Sequence, residues 1–373
     1  MERRHDKTSR KYVTKNRPRA TPFRDVFSRL PFVTSFRIGA QMQQRRHETR
    51  RMVRGRPNRP CLEVIMDHSQ LRAPLLRSTA ALVVLVALAC HEAPTPAGPG
   101  GGGGGGGTPG PIPAVGHMVI VVEENSDYSD VIGNAAMPYL NGLAQQYALA
   151  TQYYADTHPS IGNYFELATG QILTNDDGSS TIENVDNIVR ELVAAGKTWK
   201  SYAEDLPSVG YTGGDVGNYA RKHNVFALLS DVVNDPAQRS RLVPFTQFAT
   251  DLANGTLPDF SNVAPNLCND AHDCSLATAD AWLKANIAPL IESATFQKDG
   301  LLVIVFDEAG SDDTRGGGRV ACVLVGPKVK RGYQSSTVYQ HESLLRLAAQ
   351  ALGLKTLPGA AASAPGMGEF FTP

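Results

Sequence analysis

Glu123-Glu124-Asn125, Asn269-Asp270-Ala271-His272-Asp273 and Asp307-Glu308 each stand just after an apolar run. Carboxylates, an amide and an imidazole gathered at one place make a divalent-metal site. The expected ligands are Glu124, Asn125, Asp307 and Glu308. Such donors suit magnesium, calcium or manganese, and they leave iron and zinc open. A further stretch, Thr157-His158-Pro159-Ser160-Ile161-Gly162-Asn163-Tyr164, sets Ser160 where an apolar helical period begins. A helix start offers free backbone N–H groups and a positive dipole end, both suited to a phosphate. A serine hydroxyl is a weak nucleophile that a nearby base or metal must activate. The commonest use of Ser at that place is as a helix cap. No G-x-S-x-G elbow and no Walker or dinucleotide glycine pattern is present, and Gly316-Gly317-Gly318 reads as a turn.

The elements needed to bring these clusters together are legible. Residues 118–122 and 301–306 are short, continuous and rich in β-branched residues, the pattern of buried parallel strands. Residues 260–265 are a weaker strand, and 149–154, 198–202 and 320–325 complete the set. Helical periods run over 137–147, 161–169, 184–195, 245–253, 277–295 and 342–352. Alternation of this kind predicts a three-layer α/β/α sandwich with a mostly parallel sheet. In such a sheet ligands bind beyond the carboxyl ends of the strands, so clusters distant in sequence converge there.

These motifs resemble the phosphoesterase family of acid phosphatases and bacterial phospholipases C. The resemblance runs from about His117 to Leu352. It rests on Glu124-Asn125, on His158-Pro159-Ser160 with Asn163-Tyr164, and on Pro265-Asn266 with Asn269-Asp270 and His272-Asp273. Asp280 with Trp282-Leu283, Phe306-Asp307-Glu308, and His341 with Ser343-Leu344-Leu345 extend it. It implies an alkaline-phosphatase-like fold and a phosphoserine intermediate on Ser160. It also implies a metal on Glu124, Asn125, Asp307 and Glu308, and a phosphate-binding or acid/base role for His272 supported by Asp273. His158 and Asn163 would contact phosphate, and His341 would lie behind the ligands. The phospholipase branch usually carries Pro-Asn-Arg where this chain has Gly162-Asn163-Tyr164. The stretches 199–205 and His223-Asn224-Val225-Phe226 look more like the acid-phosphatase branch. His91, His117 and His223 are read as structural or exposed.

The overall charge of zero hides two opposite parts. Residues 1–65 hold 18 Lys and Arg against 5 Asp and Glu, leaving 18 against 31 for the remainder. The acidic body is a poor partner for a phosphate backbone, so no nucleic acid is expected. Residues 1–65 read as a disordered or mis-assigned extension, because Met66 opens an export signal. Arg72 and Arg77 precede an apolar run over 78–89 that ends at Cys90. Residues 87–90 resemble a lipobox, which would make Cys90 a lipid anchor and the membrane a partner through that anchor alone. Residues 91–114 form a Pro/Gly linker with an unbroken glycine run over 100–107, and 115–373 form the phosphoesterase domain. Cys268 and Cys274 bracket the His272 cluster. In an exported chain they are expected to pair, with a zinc site as the alternative.

The expected function is an exported, periplasmic, cell-surface or secreted acid phosphatase that hydrolyses phosphomonoesters with a divalent metal. A phospholipase C-type phosphodiesterase, a phosphoinositide phosphatase and a silent surface-binding lipoprotein are the rival readings.

Overall fold

The computed structural model describes residues 110–372. The expected extension, export signal, lipid anchor at Cys90 and most of the linker lie outside the described residues, as does His91. The described residues build one eight-stranded sheet. Its strands are β1 (His117–Glu123), β2 (Ala148–Ala150), β3 (Trp199–Ala203), β4 (Leu242–Pro244), β5 (Phe260–Ala264), β6 (Gly300–Phe306), β7 (Cys322–Val325) and β8 (Tyr333–Ser335). The spatial order is β4-β3-β5-β1-β6-β7-β2-β8. β4, β3, β5, β1 and β6 pair in parallel, as do β2 and β8, whereas β7 runs antiparallel to both of its neighbours.

The apolar runs placed β1 and β6 at the centre for a physical reason. Every residue of β6 is buried, and in β1 only His117 is partly exposed. A strand covered on both faces needs no polar alternation. β5, β1 and β6 are adjacent and parallel, with Val121 opposite Val263 and Ile304. Their carboxyl ends therefore lie side by side, and the three acidic clusters leave the sheet at one edge.

Successive side chains of a strand point to opposite faces. Glu124 reaches the hydroxyls of Ser160 and Tyr164 on the helix Ser160–Thr169. Glu123 lies in the field of Asp280, on the helix Leu276–Glu292. Asp280 in turn accepts the N–H groups of Tyr139 and Leu140 at the start of the helix Pro138–Gln146. The helices thus form two groups, one on each face of the sheet. Glu123 is fully buried with neither carboxylate oxygen hydrogen-bonded, and burial raises its pKa well above the usual carboxylate range.

Capping explains where the observed elements differ from the expected ones. The helix expected over 184–195 begins at Ile188, because the Asn187 side chain accepts the Arg190 N–H at 3.0 Å. The long helix expected over 277–295 ends at Glu292. Ser293 then caps a second helix, Ala294–Asp299, by accepting the Phe296 N–H. The strand expected over 149–154 ends at Ala150 and continues only as isolated bridges of Tyr153 and Tyr154. β4 and β8 have three residues each, too few to show a period.

Gly316-Gly317-Gly318 lies in a turn that presses on the chain leading to Ser160. Ala155 N–H donates to Gly318 O, and Gly317 N–H donates to Ala155 O. A Cβ at Gly317 would lie 2.6 Å from Thr157 O, so only glycine allows this approach.

Candidate active site

Ser160 is the first residue of its helix, and Pro159 occupies the cap position without a side-chain cap bond. The serine is therefore not a cap. It is 1% exposed, and its hydroxyl faces Glu308 Oε1 at 3.0 Å and Glu124 Oε2 at 3.2 Å. A hydroxyl buried between two carboxylates is a poor packing choice and a good arrangement for proton removal.

The acidic residues around it are held by backbone and side-chain donors. Asp307 Oδ1 accepts the N–H of Asn125 at 3.1 Å and that of Glu308 at 2.6 Å. Its Oδ2 is buried and unpartnered. Burial, reinforced by the Glu308 charge, pushes Asp307 from 3.8 to about 8. Burial likewise raises Glu124 well above its ordinary value, with Asp307 and Asp270 adding to it. Tyr164 offsets part of this by donating to Glu124 Oε1 at 2.6 Å. Asn125 adopts φ 51°, a left-handed conformation that asparagine tolerates better than most residues.

Glu124, Asp307 and Glu308 bring one ligand atom each to within 4.8 Å of the others. The set is buried, oxygen-rich and mutually repulsive, and one of its oxygens lacks any partner. A divalent cation fits these residues: it would relieve the repulsion and satisfy the orphaned oxygen. Glu124, His223 and Asp270 form a second such set.

The other expected site residues fall into two groups. His272 reaches the site edge, with Nδ1 2.8 Å from Asp273 Oδ1 and Nε2 3.4 Å from Lys222 Nζ. Cys268 and Cys274 form a disulfide that closes this loop, so the zinc alternative falls away. His158 and Asn163, the expected phosphate contacts, have protein partners in the structure. His158 Nδ1 lies 2.6 Å from Glu308 Oε2, and Nε2 lies 3.2 Å from Asp312 O. Two acceptors favour the doubly protonated ring. Burial works against that form, yet Asp312 O and Glu308 raise the His158 pKa. Asn163 spends its amide on the chain: Oδ1 accepts from Asp156 and Thr157 N–H, and Nδ2 donates to Thr157 O. Both residues thus shape the approach to Ser160. His341 is buried behind Asp307, with Nε2 2.6 Å from Asp307 O and Nδ1 3.2 Å from the Tyr153 hydroxyl. Burial lowers its pKa to about 4.

Sequence reasoning passed over His223, reading it as structural or exposed. It is 2% exposed and bridges the clusters: Nε2 is 3.1 Å from Glu124 Oε1 and Nδ1 is 3.2 Å from Asp270 Oδ2. Its ring stacks on Tyr164 with centroids 5.1 Å apart. Burial, followed by the Lys222 charge, lowers its pKa well below the ordinary value. The available signal was the stretch His223-Asn224-Val225-Phe226, already matched to one branch of the family.

A mostly parallel α/β sheet carries a buried serine facing carboxylates at its carboxyl edge, and the matching family makes the protein a hydrolase of phosphoric esters. The phosphoesterase family model matches residues 134–355, and the chain belongs to that family. A phosphatidylinositol-3-phosphatase of Mycobacterium tuberculosis is 36% identical over 256 residues, covering 68% of this chain and 82% of that protein. An acid phosphatase of Aspergillus fumigatus is 33% identical, covering 63% of this chain and 54% of that protein. A phosphate-repressible acid phosphatase of Penicillium chrysogenum is also 33% identical, covering 63% and 58%. The chain thus spans a little over half the length of these fungal relatives. A solved structure of an alkaline phosphatase superfamily protein from Vibrio parahaemolyticus is similar at 12% identity, covering 65% of this chain and 68% of that one, with a TM-score of 0.47.

Proposed function

We propose that this protein is an exported, metal-dependent acid phosphatase that cleaves phosphomonoesters through a phosphoserine on Ser160. The observation that carries this reading is the Ser160 hydroxyl at a helix start, buried between Glu124 and Glu308 and free of any capping role. A divalent cation held by Glu124, Asp307 and Glu308, with Asn125 beside them, would supply positive charge against the phosphoryl oxygens and lower the serine pKa. Ser160 gives up its proton toward the carboxylates it faces. Its Oγ forms a bond to phosphorus as the ester P–O bond breaks, and the leaving oxygen takes a proton. Water then attacks the phosphoserine, His272 receives its proton, and Ser160 Oγ leaves and is reprotonated. Asp273 orients His272 through Nδ1.

A monoester substrate is supported by the family and by relatives named as phosphatases. The named activity of the mycobacterial relative favours a phosphoinositide monoester as one substrate to try. Export is supported by the disulfide between Cys268 and Cys274, which persists in oxidising compartments. Lipid attachment at Cys90 is supported by the sequence pattern alone.

The test is p-nitrophenyl phosphate hydrolysis across pH with chelator and metal add-back, for the wild type and Ser160→Ala. We expect the variant to lose about a thousandfold or more, and intact-protein mass after an acid quench to show phosphate on the wild type only. Full activity in Ser160→Ala would sink the reading.

A further inference from the structure

The site is crowded with carboxylates; His158 pairs with Glu308, and one lysine faces the rest. Among the described residues, Lys222 is the one Lys or Arg side chain hydrogen-bonded to Asp177, whose other oxygen holds the start of the serine helix, and to His272. It lies in the short turn Arg221–His223, beside His223. Its side chain is only 15% exposed. Nζ is 2.9 Å from Asp177 Oδ2 and 3.4 Å from His272 Nε2. Asp177 Oδ1 accepts the N–H of Ile161, the residue after Ser160, at 3.1 Å. The ammonium group is thus tied to the serine helix on one side and to the disulfide-closed loop on the other.

Its charge is needed there. Glu124, Asp307 and Glu308 carry three negative charges when ionised, so a divalent cation leaves that set one unit negative. A phosphomonoester adds two further negative charges near neutral pH, and a phosphodiester only one. A lysine ammonium has three donors, so the bond to Asp177 leaves others for an incoming oxygen.

We propose that Lys222 binds a non-bridging phosphoryl oxygen and sets the preference of the site for monoester dianions over diester monoanions, with Asp177 as the residue that positions it. The proposal rests on the phosphatase reading above. The bland alternative is an ion pair that only ties two loops together.

The experiment compares the metal-loaded wild type with Lys222→Met, Lys222→Arg and Asp177→Asn. It measures kcat and KM for p-nitrophenyl phosphate and bis(p-nitrophenyl) phosphate, and titrates inorganic phosphate by calorimetry. A lost hydrogen bond to a charged group predicts that Lys222→Met weakens phosphate binding and monoester kcat/KM by about tenfold to a hundredfold. Diester turnover should change by less than about threefold, and Lys222→Arg should restore most of the phosphate affinity. Asp177→Asn should raise the monoester KM and leave the diester KM near wild type. Equal losses on both esters, or phosphate affinity unchanged in Lys222→Met, would overturn the proposal. If Lys222→Met melts early by circular dichroism, Lys222→Gln is read in its place. A wild type that cleaves neither ester removes the phosphatase reading, and the phosphate titration still decides the role of Lys222.

Discussion

Tyr164 donates its phenolic proton to Oε1 of Glu124 at 2.6 Å, while its ring stacks on His223. One side chain thereby fixes the carboxylate just past β1 and an imidazole from the turn Arg221–His223. Burial and the Glu124 charge raise the Tyr164 pKa, which keeps it a donor through the working range. Tyr164→Phe should keep the stack and lose the bond. Partners that orient ligands are worth roughly tenfold to a hundredfold in metal affinity. We expect a loss of that size in a metal titration, with a fall in kcat and little change in melting temperature.

Asn163 stitches the chain before Ser160 through three hydrogen bonds. Asn163→Ala would strand the buried N–H of Thr157 and should cost about 1–3 kcal/mol, read from denaturant melts. The same change should lower kcat more than it raises KM, because it loosens Ser160 and His158 together. Asn163→Asp keeps the acceptor atoms and should be milder in kcat.

The disulfide joins residues six apart in sequence around His272. Closing so short a loop should stabilise by about 2 kcal/mol on the chain-entropy account. Reduction, or Cys268→Ser with Cys274→Ser, should lower the melting temperature by an amount of that order. Catalytic turnover should fall as well, since His272 and the backbone of Asp270 share the loop.

Metal removal should matter more as pH rises. Asp307 is held at about 8 against an ordinary 3.8, with burial the main cause. In the metal-free protein its folded form binds a proton more tightly than the unfolded chain does. Stability from this group is therefore full below the unfolded pKa and is lost as pH climbs toward 8. Chelation should lower the melting temperature little near pH 5 and clearly near pH 8, as differential scanning calorimetry would record. An equal effect at both pH values would count against carboxylates as the ligands.

A second acidic group predicts a slope independent of metal. Burial, followed by the Glu342 charge, pushes Asp156 to about 8 and Glu166 to about 7. Both are raised, so the folded state binds more protons and stability falls as pH rises from about 4 to 8. The melting temperature of the metal-loaded protein should drop by roughly 3 °C or more across that range. Asp156→Asn should flatten the slope while keeping the acceptor for Gln340 Nε2.

The sequence by itself determined the central strands, the parallel α/β class and the convergence of Glu124, Asp307 and Glu308. Those follow from local pattern: buried apolar runs have one reading, and β1 and β6 lead directly into their acidic residues. It also placed Ser160 at a helix start and favoured a Cys268–Cys274 pair over a zinc site, a choice the structure made. Only the tertiary structure decided what each polar side chain does. Glu123 and Glu124 are neighbours of like chemistry, yet strand alternation sends one toward Asp280 and the other toward Ser160. Asn163 and His158 carry the right chemistry for phosphate, but the partners that occupy them come from Thr157, Glu308 and Asp312. His223, Asp177 and Lys222 enter the site from loops with no periodic pattern. Their place depends on contacts with residues tens of positions away, which local spacing does not encode.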